Sequence, residues 1–376
     1  MVCVNQDVSL SVVRGGTSRG IFLRARDLPR ESAERDALCI ELIGSPDPLA
    51  VDGLGGGASS NSKIMAVDVP EGIEGLPGAE ACPEDVDLVS VFAQVGPSVP
   101  DVDWSGNCGN LSSAVSAFAL SRGLIRRSGD CATVRVWNLN TASVFELEHA
   151  LDGGELPRSG DFTIPGAPRP GARIDLRFLA PGGEKTGRAL PCGHVLRLPR
   201  AGMEVSLVDV TNPVVLVRAA DLSVDASQPS AMLNQDAELL DRIEALRQEA
   251  GELMGLEPGP ANPRVVCLAP SGVEHEVLTR TTSMGVFHHA IPATAAMAVG
   301  AAGALGGTLL DEFTRPRSNG DVLIAHPQGT VTVTAQPTMP GDGAAEPCGD
   351  DEAVALASVG IARTARVILE GTARVG

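Results

Sequence analysis

The chain carries 29 Lys and Arg residues, and only Lys63 and Lys185 are lysines. Arg fills almost every position where a cation suffices. A retained lysine therefore points to a task that an always-charged guanidinium cannot perform, such as losing and regaining a proton. Lys63 follows a Gly-rich loop at 53–57 and stands beside Ser59, Ser60, Asn61 and Ser62, a setting rich in donors. Lys185 lies in Gly182-Gly183-Glu184-Lys185-Thr186-Gly187, read as an exposed turn. Cys108 sits between Gly106-Asn107 and Gly109-Asn110, immediately ahead of a small-residue segment read as a helix, where a thiol can act as acid or base near neutral pH. His288 and His289 are adjacent; on a helix, adjacent side chains point in different directions, so one can meet a carboxylate while the other packs.

Other chemistries are poorly served. No Asp/Glu/Cys cluster accompanies the histidines at metal-ligand spacing, so no metal is expected. Residues 53–57 lack the G-x-x-x-x-G-K-[ST] phosphate loop, and residues 15–20 are too weak a match for a dinucleotide fingerprint. There is no G-x-S-x-G nucleophile elbow. The expected chemistry is proton transfer with no cofactor. Cys3, Cys39, Cys82, Cys131, Cys192, Cys267 and Cys348 form no C-x-x-C motif and are read as reduced, mostly buried thiols.

The elements that must position these residues alternate strands with helices. Residues 8–13 and 21–23 read as strands around a Gly-rich turn at 14–20. A helix is predicted over 32–44, a strand over 86–95, a small-residue helix over 111–122, and a hairpin over 134–149. In the second half, 205–217 reads as two strands broken at Asn212-Pro213. Residues 236–254 form the longest amphipathic helix, with Leu239, Leu240, Ile243, Leu246 and Leu253 near helical spacing. Ser283-Met284-Gly285 precedes a second small-residue helix, from His288 to about 304. Strands are expected at 265–268, 322–326 and 331–335, and a helix or strand at 363–370. Each half thus has a Gly-containing loop opening into a helix with no polar face, which must be buried. Two such helices starting at a common cleft would aim unpaired N–H groups at one anionic ligand.

Composition narrows the partners. The net charge of −18 and the absence of Tyr argue against nucleic acid and anionic membrane. The first residues lack the basic start and unbroken apolar run of a signal peptide, and the Ala-rich run near 290–305 is too short to span a bilayer comfortably. A cytoplasmic protein acting on a small molecule is expected.

The motifs resemble one family. Gly15-Gly16-Thr17-Ser18-Arg19-Gly20, Gly44-Ser45-Pro46-Asp47, Asp52-Gly53-Leu54-Gly55-Gly56, Asn61-Ser62-Lys63, Asp103-Trp104-Ser105-Gly106-Asn107-Cys108-Gly109-Asn110-Leu111, Ser283-Met284-Gly285 with His288-His289-Ala290, residues 324–329 and Arg363-Thr364-Ala365-Arg366 are similar to the PrpF family, in order, over about 8–370. The resemblance implies an α+β, diaminopimelate epimerase-like fold of two pseudo-symmetric domains, each a curled, mostly antiparallel sheet around a central helix. The expected domains are 1–187, completed by 362–376, and 188–361, with the site in the cleft between them and a homodimer as the candidate assembly.

The resemblance further implies a cofactor-independent isomerase of unsaturated di- or tricarboxylates, with Lys63 and Cys108 as the acid–base pair. Thr17, Ser18, Arg19, Ser62, Asn107, Gly109, Asn110, Ser283, Met284, Gly285 and His288 become the candidate substrate-binding residues. Cis–trans isomerisation of a 2-methylaconitate- or aconitate-like acid is the leading expectation. A 1,3-allylic shift of a 4-oxalomesaconate- or methylitaconate-type acid is the alternative. Two rivals compete: an epimerase on the same fold, which would use one cysteine from each half, and a non-catalytic carboxylate-binding protein. The first meets an obstacle, since 283–285 holds no cysteine and Cys267 lies sixteen positions before Ser283.

Overall fold

The computed structural model describes residues 6–257, 259–338 and 355–376. Cys3 and Cys348 lie outside these residues. The chain divides into two compact units, Met1–Leu176 with Ala362–Gly376, and Arg177–Ile361.

In the first unit, strand Gln6–Gly15 forms a hairpin with Ser18–Arg24 and also pairs antiparallel with the final strand, Ala365–Val375. Ser18–Arg24 runs parallel to Lys63–Asp68, which pairs antiparallel with Leu88–Val95. Leu88–Val95 lies parallel to Cys131–Asn138, the first strand of a hairpin with Ser143–Ala150. Helix Ser32–Ile43 covers one face of this sheet, where Leu38 and Leu42 pack with Ile21, Ile64, Val91 and Ala93. It stops at Gly44, whose left-handed φ of 82° lets its N–H reach Ile40 O. The opposite face meets a second helical segment, with Phe22 against Phe118 at a centroid distance of 5.5 Å, an aromatic contact worth about 0.5–1.5 kcal/mol beyond its buried area.

The second unit follows the same order. Hairpin Glu204–Val210/Asn212–Arg218 runs parallel to Arg264–Pro270, which pairs antiparallel with Glu276–Ser283. That strand lies parallel to Asp321–His326, followed by antiparallel Gly329–Pro337 and Leu356–Arg363. Helix Ala237–Leu253 starts at Asp236, whose carboxylate accepts the Leu239 N–H, and packs Leu239, Ile243, Leu246 and Ala250 on one sheet face. Leu253, expected on that face, is 42% exposed. Helix Ala293–Leu305 is buried nearly all round, as a helix without a polar face must be. It approaches the sheet so closely that a Cβ on Gly300 would lie 2.3 Å from Val333.

Several boundaries depart from the sequence reading. The Gly-rich turn expected over 14–20 is only Gly16-Thr17, because strands run up to Gly15 and resume at Ser18. The helix expected over 111–122 is two pieces, Gly109–Ser112 and Val115–Ser121. Ser113 Oγ donates to Asn110 O at the break, and such side-chain bonds compete with the helical ladder. Asn212-Pro213 does not break 205–217; the turn is Thr211 alone, at φ 61°. The second small-residue helix begins at Ala293 rather than His288. Pro292 stands at its N-cap, and a proline restricts the residue before it to extended backbone. Residues 365–375 are strand. Strands Ile174–Leu179 and Leu356–Arg363 were not expected. Lys185 is part-buried, its loop pinned by the Lys185 and Thr186 N–H groups to the buried Asp209 carboxylate. Among the described residues no helix is long and apolar enough to cross a membrane.

Candidate active site

Lys63 is the first residue of its strand and lies opposite Gln94 on the antiparallel neighbour. Side chains alternate faces along a strand, so Lys63 and Met65 share the face that carries Gly20 and Phe22 on one side and Phe92 and Gln94 on the other. This is the face that meets the helix after Cys108. A Cβ on Gly20 would lie 2.6 Å from Leu111 Cδ1 and 3.0 Å from Lys63 O. One glycine therefore separates the Lys63 strand from the helical turn that Cys108 caps. Lys63 is buried, its Nζ donates to Gln94 Oε1, and it stands 5.1 Å from the centre of the Phe92 ring. Ser62, fully buried, donates to Gly56 O and so ties the Gly-rich loop to the start of the strand.

Cys108 is buried at the N-cap of Gly109–Ser112. Asn107 holds that turn: its Oδ1 accepts the Cys108 N–H at 2.6 Å and the Ser112 hydroxyl at 3.1 Å. Asn110 joins the turn to the first hairpin. Its Nδ2 donates to Thr17 Oγ1 at 3.0 Å, and its Oδ1 accepts from Thr17 N at 3.4 Å and from Arg363 Nε at 3.1 Å. Arg14 closes the same corner, donating to Gly16 O at 2.9 Å and Thr364 O at 3.0 Å. Arg19 braces the Gly-rich loop through Gly55 O at 2.8 Å, while its own N–H meets Ser60 O at 2.9 Å. A cavity of about 260 Å³ opens here, lined by Arg14, Thr17, Ser18, Arg19, Ser60 and Asn61 with residues 166–168. It is rich in donors and carries two guanidinium groups, which suits an anionic ligand.

The first unit thus gathers Thr17, Ser18, Arg19, Ser62, Lys63, Asn107, Cys108, Gly109 and Asn110 into one neighbourhood. Two further residues belong to it that the sequence reading gave no role. Gln94 is one; the visible signal was the single long polar side chain in the strand Leu88–Val95, whose other residues are apolar or, at Ser90, small. The other is Arg363, present only as part of a family motif. It is fully buried, and burial pulls its guanidinium down to about 9, a pull that the nearby Cys108 opposes.

The remaining candidates lie in the second unit. Ser283 ends its strand, and Met284 and Gly285, at φ 55° and 78°, form a two-residue turn into Val286–Phe287. Both central residues have positive φ, as tight hairpins require. His288 follows outside any helix or strand, its ring stacked on that of His289 at 4.4 Å. His288 Nδ1 accepts the Ala290 N–H at 3.1 Å, so a neutral ring carries its proton on Nε2. Burial lowers the pKa of His289. Cys267 is fully buried in its strand, and burial pushes its thiol up to about 12. Cys39, Cys82, Cys131 and Cys192 are, like Cys108 and Cys267, free thiols; Cys39 is buried as expected, but Cys82 and Cys192 are only half-buried and Cys131 is exposed. No group of three His, Cys, Asp or Glu side chains among the described residues could hold a metal ion.

Comparison with known proteins gives one consistent answer. The family model described as PrpF protein matches residues 5–376. A curated relative from Shewanella oneidensis, 2-methyl-aconitate isomerase, is 33% identical, covering 98% of this chain and 96% of its own. The crystal structure of a methylitaconate-delta-isomerase superposes with a TM-score of 0.72 at 29% identity, covering 99% of this chain and 96% of that one. A hydroxyproline epimerase from Agrobacterium vitis shares the fold at a TM-score of 0.60 and 12% identity, over 99% of this chain and 94% of that one. The fold is accordingly α+β and epimerase-like.

Proposed function

The chain belongs to the PrpF family and is an isomerase, and we propose that it moves a proton on an unsaturated di- or tricarboxylate, with Lys63 and Cys108 as the acid–base pair. The observation that carries this reading is the shared face of the first sheet. There the strand that begins at the buried Lys63 and the helical turn that the buried Cys108 caps meet at Gly20, through Lys63 O and Leu111 Cδ1, and residues 17–19, 60 and 61 of the same unit line a donor-rich cavity. One of the pair removes a proton from the carbon next to a C=C bond and a carboxylate. The electron pair left behind spreads into a dienolate, so the former double bond can rotate. Return of the proton to the same carbon gives cis–trans isomerisation. Its return at the far end of the allylic system moves the double bond by one position. No atom is gained or lost in either outcome.

Charge grows on the substrate carboxylates as the proton leaves, and donors fixed in advance stabilise it without reorganising. Thr17, Ser18, Asn110 and Arg19 are proposed to supply such donors in the first unit. Positioned acid–base catalysis contributes about 10²–10⁴-fold in rate. The 2-methylaconitate- or aconitate-like cis–trans reaction is the first reading, supported by the 33% identical relative. The allylic shift is the second, supported by the structural likeness to the methylitaconate-delta-isomerase.

An epimerase using one thiol from each half is disfavoured by Cys267, whose sulfur is buried in a strand and whose pKa burial raises. A mere carboxylate binder would not need a titratable amine and thiol together. Proton NMR in D2O of a panel of aconitate-type acids, with and without the protein, tests the proposal. Enzyme-dependent deuterium uptake with a change of geometry supports the first reading, and a moved double bond supports the second. Binding with no exchange in any acid of the panel sinks the catalytic reading.

A further inference from the structure

The geometry points to Gln94 as a positioning residue that fixes the Lys63 amine in both of its protonation states. This inference rests on the reading of Lys63 as a proton-transfer group. Gln94 is a buried side chain in the strand opposite Lys63, and the two residues are direct antiparallel partners. Its Nε2 lies 2.9 Å from Ser62 O, and 3.3 Å from both Ser59 O and Val95 O. Carbonyl oxygens only accept, so three of them around one end of the carboxamide determine which end is nitrogen. The carboxamide oxygen must then face the other way, where Lys63 Nζ donates to it. The Phe92 ring, two residues earlier on the same strand face, lies 5.1 Å from Nζ and favours a cation there.

The choice of a carboxamide matters chemically. Nζ has N–H bonds to give both as ammonium and as neutral amine, and a neutral oxygen accepts from either. A carboxylate in the same place would hold the ammonium far more strongly and oppose loss of its proton. Gln94 thus holds the amine without selecting its charge. It also couples the amine to residues 59–62, because Ser59 and Ser62 supply two of the three carbonyls that hold the carboxamide.

The chain's two lysines make this testable in the unmutated protein. Labelling lysine alone with ¹⁵N gives two side-chain Nζ signals, assigned by Lys63→Arg. The expected result is slow proton exchange at Lys63 and faster exchange at Lys185. Gln94→Met should speed exchange at Lys63 and lower kcat about 10²-fold, the scale of loss for a misplaced catalytic group, with KM changed only a few-fold. Gln94→Glu should move the Lys63 limb of the pH–rate profile upward, a change that a merely structural residue would not cause. Exchange at Lys63 as fast as at Lys185 in the unmutated chain overturns the inference. So does an unaltered kcat in a folded Gln94→Met variant. Protected Lys63 with no turnover of any tested acid supports the positioning role and counts against the proposed substrate class alone.

Discussion

A Cβ on Gly16 would lie 2.1 Å from Oδ1 of Asn110, so the first hairpin can meet the Cys108 turn only because residue 16 has no side chain. Gly16 also has φ 51°, inside the left-handed region that favours glycine. The contact is specific: the oxygen that a Cβ would strike is the one that accepts from Thr17 N and Arg363 Nε. Gly16→Ala should therefore displace Asn110 and loosen the corner that holds Cys108. The expected cost is about 1–3 kcal/mol of stability, as for other overpacked sites, with turnover reduced at least in proportion to the lost geometry. Thermal unfolding followed by circular dichroism, together with steady-state kinetics, checks both. Wild-type stability and turnover in Gly16→Ala would show that the corner yields without consequence.

Glu184 gives a pH dependence whose sign follows from its surroundings. Burial, with the charge of Asp209 adding to it, pushes this carboxyl up to about 7. The folded protein keeps the proton where the unfolded chain, near 4.5, has lost it. The stabilising contribution is thus fully present below the unfolded value and is lost as pH rises through about 7. Glu184→Gln removes the titration, so its stability relative to wild type should increase between pH 5 and pH 8, by at most about 3 kcal/mol. Denaturant unfolding of both proteins at the two pH values measures this. A difference that does not change with pH would contradict it.

Lys63→Arg and Lys63→Ala separate proton transfer from simple attraction. Arg keeps the charge but cannot give up its proton at working pH, and its planar fork does not fit where a compact amine donates to Gln94. Both variants should lose turnover to a similar degree, about 10²-fold or more, while Lys63→Arg retains substrate binding. Substantial turnover by Lys63→Arg beside an inactive Lys63→Ala would reduce Lys63 to an electrostatic anchor.

Much of this arrangement was legible in the residues themselves. The scarcity of lysine singled out Lys63, the Gly and Asn around Cys108 drew attention to that thiol, and the small-residue run from His288 to about 304, lacking a polar face, required burial. The helices Ser32–Ile43 and Ala237–Leu253 were found from periodicity, with a Gly44 stop and an Asp236 cap close to where they were expected. What was not legible depends on distant partners. Gln94 gains its meaning only when the strand register sets it against Lys63, and sequence periodicity carries no register. Arg363 is 253 positions from Asn110, which it holds. The start of the second buried helix was misplaced because Ala290 and Ile291 extend the apolar run back to His289, whereas Pro292 controls the local backbone. The break at Ser113 arises from a side chain competing with the ladder, which composition does not reveal.

Deuterium incorporation by wild type and by Cys108→Ser, followed by proton NMR in D2O on the same aconitate-type acid, tests the central claim most directly. The hydroxyl nearly matches the thiol in size but is far less acidic, so the buried turn that holds residue 108 should keep its shape. Wild type should exchange and isomerise the acid. Cys108→Ser, folded and able to bind the acid, should lose both by about 10²-fold or more. Near-wild-type exchange and isomerisation by a folded Cys108→Ser protein would contradict that claim and remove Cys108 from the chemistry.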